Sequence, residues 1–165
     1  MGLRVRKLTI VSLLTAAAIA GRLLIHGFNI QPATWMIVLT GWFFGWKMGL
    51  AEGMMVGFVT DLVLGLGYWT PFQMAAWGMI GFLSHFIPKK MPFHYVWLVF
   101  SGYLYGAVMA FSYFVMATNL CTVVGFYVSG LIFDTYHAAG NLLFGCLSPL
   151  VFHVFEREQR RLQIK

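Results

Sequence analysis

The residues able to do chemistry gather in three short stretches. The first reads His26-Gly-Phe-Asn29-Ile-Gln31-Pro-Ala-Thr34-Trp35. The second runs Asp61-Leu-Val-Leu-Gly65-Leu-Gly67-Tyr68-Trp69-Thr70-Pro71-Phe72-Gln73, with Trp77 one turn on. The third is Asp134-Thr-Tyr136-His137-Ala-Ala-Gly-Asn141. Between them they offer side-chain amides, aromatic faces, two carboxylates and an imidazole, with little charge. Amides both donate and accept hydrogen bonds, and flat rings cover apolar faces. That set suits an uncharged or zwitterionic organic ligand with hydrogen-bonding edges and a flat apolar body. The candidate contacts are Asn29, Gln31, Thr34, Trp35, Tyr68, Trp69, Thr70, Gln73, Trp77, Asp134, His137 and Asn141.

Other chemistry is thinly represented. Asp134 and His137 stand three apart, but a metal or catalytic pair needs further ligands. The nearest in character are Asp61 and His26. The plainer reading makes Asp134 the N-cap of a helix that begins at 135. Cys121 and Cys146 lie in apolar surroundings without metal-ligand spacing and read as buried free thiols. No phosphate loop, dinucleotide glycine motif, zincin helix or nucleophile elbow occurs. The chain is therefore expected to be no enzyme and to carry no cofactor.

The elements that must position these residues follow from composition. Of 165 residues, 60% are hydrophobic and 10% charged, and the mean hydropathy is +0.79. Soluble domains carry roughly 25% charged residues, so this chain has too few to wet a surface. Its charge-free runs, 23–46, 62–88, 91–133 and 135–155, match or exceed the roughly 20 residues that cross a bilayer. Spans are expected at about 6–26, 34–46, 48–64, 72–88, 95–118 and 135–155. This predicts one all-α domain over 1–165, a polytopic membrane protein with six transmembrane helices. With the N-terminus inside, the inner ends hold Arg4, Arg6, Lys7, Lys47, Lys89, Lys90, Arg157, Arg160, Arg161 and Lys165. By the positive-inside rule both termini are cytoplasmic and the three polar stretches face outward. Arg22 alone lies toward an outer end, where it could snorkel or serve a site. The net charge of +6 then reflects topology, not nucleic-acid binding.

Several finer expectations follow. Arg4, Arg6 and Lys7 before an apolar stretch have the shape of a signal peptide, but an uncleaved first span gives a consistent topology. The second span is short, about 20 Å as a helix, so spans two and three form a sheltered hairpin around Lys47 unless span two begins earlier. Glu52 is placed to pair with Lys47 or Lys89. His85, His94 and His153 read as inner-interface residues. Trp35, Tyr68, Trp69 and Tyr136 fit an aromatic interface belt as well as a ligand site. A belt alone does not need Asn29, Gln31, Thr70, Gln73 and Asn141.

Small residues recur at helical spacing. Gly41, Gly45, Gly49, Gly53 and Gly57 step by four, and Gly102, Gly106 and Ala110 repeat the step. This spacing lets helix backbones approach closely in lipid, and tight internal packing is the first reading. The Lys47 break can put the two halves of the first series on different helices. Ala16 and Ala20, one turn apart on the first helix, make a smooth surface for the bundle interior or for another membrane protein.

Four stretches together resemble the substrate-binding S components of energy-coupling factor vitamin transporters. They are Asn29 to Thr34, the stepped glycines Gly41 to Gly57, Gly67-Tyr-Trp-Thr-Pro-Phe-Gln-Met-Ala-Ala-Trp-Gly78, and Phe133-Asp-Thr-Tyr-His-Ala-Ala-Gly-Asn141. With the six-helix layout the resemblance covers nearly the whole chain, and the second outer stretch is its most specific part. It departs at Thr60-Asp61, where many relatives have Ser-Asn. The resemblance implies partners: a transmembrane coupling subunit, docked through Ala16 and Ala20, and two cytoplasmic ATPases. It also implies capture of a vitamin outside and delivery by toppling in the membrane. The motifs look closest to the branch associated with cobalamin and related corrinoids. Pantothenate, queuosine precursors and other vitamins are alternatives. A small membrane-embedded enzyme, which would need Asp61, Asp134 and His137 to converge, and a ligand-free scaffold subunit are the readings from other classes.

Overall fold

The computed structural model describes residues 3–25, 27–115 and 119–163. His26 and Lys165, both weighed above, lie outside them. Every regular element among the described residues is helical. The order is α1 (Leu3–Leu24), α2 (Ala33–Phe44), α3 (Trp46–Leu64), α4 (Thr70–Ser84), α5 (Met91–Ala110), α6 (Leu120–Gly145) and α7 (Ser148–Gln163). Single 3₁₀ turns cover Gly27–Asn29 and Phe111–Val115.

Around an apolar core, large apolar side chains also cover the outside, while several ionisable ones are buried. Leu13, Leu24, Val96, Val128, Ile132, Leu143 and Leu150 are exposed, whereas Arg22, Glu52, Asp61, Asp134, His137 and Asn141 are buried. Soluble monomers rarely leave apolar faces of that extent uncovered. Two helical stretches, Arg4–Leu24 and Met91–Val115, are long and apolar enough to cross a membrane. The α6–α7 pair makes a third if its two halves, bent by 56°, form one span.

Local sequence accounts for the breaks. Gly45, at φ 97°, separates α2 from α3 in backbone that glycine alone adopts without strain. This is the expected hairpin next to Lys47. All of α2 except Met36 is buried, so its polar backbone is sheltered although the helix rises only about 18 Å. At the other end of the chain, Pro149 cannot continue α6, because its ring would meet the Gly145 carbonyl four residues back. Hence α6 stops at Gly145, and the stretch expected as one span at 135–155 is two helices.

The stepped glycines lie inside. A Cβ on Gly41 of α2 or Gly49 of α3 would overlap the Gly81 carbonyl of α4, and one on Gly53 the backbone of Trp77. Three helices therefore meet backbone to backbone, with Gly41 and Gly49 on different helices. In the same way Gly102 admits Ala138, and Gly106 admits the Asp134 carboxylate.

Other expectations are corrected. Helix α6 starts at Leu120, capped by Asn119, whose Oδ1 accepts from the Thr122 N–H at 3.0 Å. Asp134 is thus mid-helix and caps nothing. His94 is 1% exposed, with Nε2 2.8 Å from Ser148 Oγ and its ring stacked on Trp42 at 4.8 Å. Only His85 and His153 of the three histidines are exposed. Glu52 is 2% exposed and pairs with neither lysine; it faces Thr40 without a close hydrogen bond. Lys47 is exposed, and Lys89 Nζ lies 5.9 Å from the Phe43 ring centre. Cys121 and Cys146 are free thiols but exposed, not buried.

Aromatic packing shows which ends meet. Phe155 of α7 lies edge-on to Phe43 and Phe44 at the end of α2, at 5.1 and 5.5 Å. With Lys89 also over Phe43, the α2–α3 break, the α4–α5 link and α7 share one end of the bundle. The 3₁₀ turn at Gly27–Asn29, the residues after α3 and the turn at Phe111–Val115 border common cavities at the other end.

Candidate ligand-binding site

That second end holds a buried polar network. Arg22, in the last turn of α1, donates from Nη2 to Gln73 Oε1 at 2.8 Å and lies 3.5 Å from Asp61 Oδ1. Its guanidinium carbon sits 4.3 Å over the Trp77 ring. The Trp77 indole N–H donates to Thr34 Oγ1 at 2.9 Å, and the same hydroxyl is 2.7 Å from His137 Nε2. Tyr105 packs edge-on to His137 and tilted against Trp77, both with ring centres 4.9 Å apart. Helices α1 to α6 therefore all contribute to one layer of hydrogen bonds and rings. Burying such groups alone is costly, and Arg22, Gln73, Asp61, Trp77, Thr34 and His137 each have a partner, although Arg22 Nη1, Asp61 Oδ2 and His137 Nδ1 have none.

Above this layer the connecting segment holds two amides. Gln31 Nε2 donates to Asn29 Oδ1 at 3.2 Å, and Asn29 Nδ2 to the Phe133 carbonyl at 3.4 Å. Asn29 is held at φ 60°, a left-handed conformation that asparagine tolerates better than most residues. The turn so formed folds 27–32 back onto α6.

Two cavities adjoin the network. The smaller, ≈ 200 Å³, is bounded by Arg22, Asn29, Gln31, Leu64, Gln73, Tyr105 and Phe133. The larger, ≈ 390 Å³, shares Gln73, Tyr105 and Phe133 and extends to Tyr68, Trp69 and Asp134. Its remaining wall comes from α5 and its turn, through Met109 and Tyr113, and from α6, through Phe126, Tyr127 and Gly130. Arg22 Nη1 and Gln31 Oε1, on residues bounding the smaller cavity, have no hydrogen-bond partner. Both atoms are themselves enclosed, so the cavity's reachable polar edges come from the other atoms of the residues around it.

Of the expected contacts, Asn29, Gln31, Tyr68, Trp69, Gln73 and Asp134 border the cavities. Thr34, Trp77 and His137 lie one layer beneath, in the network. Thr70 braces its own turn, accepting from the Gly67 N–H at 3.2 Å. Trp35 and Asn141 are used elsewhere. The Trp35 indole donates to Ser148 at 2.8 Å and its ring stacks on Phe144, while Asn141 Nδ2 donates to the Leu98 carbonyl at 3.0 Å. Tyr136 is exposed, as a belt residue would be.

Sequence reasoning left out the α5 and α6 walls. Tyr105, Met109 and Tyr113 recur every four residues, as do Phe126, Gly130 and Asp134. Each set marks one helix face. That spacing was the available signal, hidden in a long run with no charged residue before Asp134. The Arg22–Asp61 pair is the other addition. A lone basic residue near an outer helix end and a lone carboxylate 39 positions on become one unit only in three dimensions.

Among the described residues no group of three or more His, Cys, Asp or Glu side chains is placed to hold a metal. No protein-family model and no solved structure matches the chain.

Proposed function

We propose that this chain is the substrate-capture subunit of a vitamin importer of the energy-coupling factor type. In this reading it takes a vitamin from outside the cell and delivers it inward by toppling with a transmembrane coupling subunit and two cytoplasmic ATPases. The observation that carries the reading is the pair of half-open cavities over a buried polar layer, with amides and aromatic rings around them. Their combined size falls within the few hundred to about 1,000 Å³ of ordinary small-molecule sites. A whole corrinoid would fill them and stand out into the open mouth. Cavity size therefore favours a smaller vitamin over the cobalamin class.

The proposed membrane layout has six spans: α1 to α5 singly, and α6 with α7. The short α2 is acceptable in lipid because its neighbours cover it. Lys47, Lys89, Lys90 and the basic segment from Arg157 belong to the end opposite the cavities, which makes that end cytoplasmic. Ala16 and Ala20 are exposed on α1, with Ser12 and Leu13 beside them. This smooth strip is the proposed docking face for the coupling subunit.

What favours transport over membrane-embedded catalysis is how the ionisable groups near Tyr105 are engaged. Asp61 is held by Arg22 and His137 by Thr34, which leaves Asp134, set against Gly106, with no acid–base partner. A scaffold role would need free glycine faces, and Gly41, Gly49 and Gly53 are consumed internally.

The test is uptake in cells with and without the coupling proteins, together with Ala16→Trp and Ala20→Trp. The substituted proteins are expected to lose co-purification with the complex while the solitary subunit still binds ligand. Assembly and transport unaffected by both substitutions would overturn the docking face. Uptake independent of the coupling proteins would overturn the reading itself.

A further inference from the structure

The larger cavity has a single charged side chain, and nothing in the described structure answers it. Asp134 is 4% exposed and makes no hydrogen bond or ion pair among the described residues. Its position depends on Gly106, since any side chain there would overlap both carboxylate oxygens. The rest of the wall is rich in rings, among them Tyr68, Tyr105, Tyr113, Phe126, Tyr127 and Phe133. Tyr113 and Phe126 stack at 3.8 Å with planes 5° apart, which fixes one side of the enclosure. Ring faces carry partial negative charge and attract cations, above all where water is excluded. The nearby positive charge, Arg22, is met by Asp61 and donates to Gln73. With all three ionised, Arg22, Asp61 and Asp134 sum to one uncompensated negative charge in a site walled by aromatic faces. A neutral ligand would leave that charge buried without a partner, which is costly.

We infer that the cavity selects a ligand with one positive charge on a ring-sized apolar body, and that Asp134 is its counter-ion. This rests on the capture-subunit reading and narrows the substrate to organic monocations, such as those with an alkylated ring nitrogen or a quaternary ammonium. The polar edge of the same ligand extends toward Arg22, Gln31 and Asn29, which border the adjoining smaller cavity.

Calorimetry on the purified full chain in detergent tests this with three probes. They are 1-methylnicotinamide, nicotinamide (the same ring without the methyl group and the charge) and benzyltrimethylammonium. At least one cation is expected to bind about tenfold or more tighter than nicotinamide. Asp134→Asn, which keeps the shape and removes the charge, should bring that ratio to within about threefold of unity. Tyr127→Leu leaves the carboxylate in place and should weaken the cation several-fold more than nicotinamide, so the inference stays testable if Asp134→Asn fails to fold. Equal binding of nicotinamide and the cations, no measurable binding of either cation, or a preference retained in Asp134→Asn would overturn it. None of these results alters whether the chain co-purifies with a coupling subunit, so the importer reading stands or falls separately.

Discussion

Thr34 concentrates the residue-scale logic of the site. One hydroxyl accepts from the Trp77 indole and meets His137 Nε2, so a single oxygen ties α2 to α4 and α6. Thr34→Val keeps the shape and strips both partners, at about 1–3 kcal/mol for each buried group left unsatisfied. The expected result is a fall of several degrees or more in melting temperature in detergent, at about 2–4 °C per kcal/mol. At the cavity wall, Gln73→Ala and Asn29→Ala each remove an amide and should weaken ligand binding about ten- to a hundredfold without loss of folded protein. Unchanged affinity in both, measured by calorimetry with the cognate vitamin, would return these residues to a purely structural role. The choice of Asn29, Gln31 and Gln73 was legible in the sequence because amides are costly in an apolar chain and so mark a purpose. His94, next to the inner end of an expected span, reads from sequence as an interface residue, yet its ring is buried and stacked on Trp42.

At the scale of elements, the contact among α2, α3 and α4 is set by what is missing. Gly81→Ala would push a methyl into the backbone of Gly49, and overpacking of this kind costs about 1–3 kcal/mol. Gly125→Ala in α6 meets nothing within 4 Å and should be neutral or stabilise by about 0.5–1 kcal/mol. Thermal aggregation of the two variants in parallel separates them; similar midpoints would mean that the three-helix contact is looser than described. The glycine series and the Lys47 break made this hairpin legible beforehand. The start of α6 was missed although Asn119 and Thr122 carry the cap that fixes it. Its signal is local and polar, within a run judged only by hydropathy. The α6–α7 break was likewise written in Pro149, four residues after Gly145.

For the whole molecule, the proposed orientation makes a prediction about sidedness. In a background lacking Cys121 and Cys146, a thiol at Gly67 should react with an impermeant reagent in intact cells, and one at Lys90 should resist it. The reverse pattern would invert the topology and move the cavities to the cytoplasmic side. Helices long and apolar enough to cross a membrane were legible in the sequence, in its 10% of charged residues and its long charge-free runs, and the structure has two of them, or three if α6 and α7 form one span. The depth of the site was not legible. It depends on Arg22 meeting Asp61, and on two α5–α6 faces whose four-residue spacing has meaning only once the helices are paired.

The two exposed cysteines have a use of their own. Cys121 lies in the first turn of α6 and Cys146 just past its end. Twenty-five residues of helix separate them by about 37 Å, more than the roughly 30 Å hydrocarbon thickness. The natural chain therefore carries a pair of exposed, chemically addressable marks at the two ends of one long helix. Spin labels at these two native positions would report their depths separately. The tipping that the proposed importer role requires would then appear as a convergence of the two depths, with the distance between the labels unchanged.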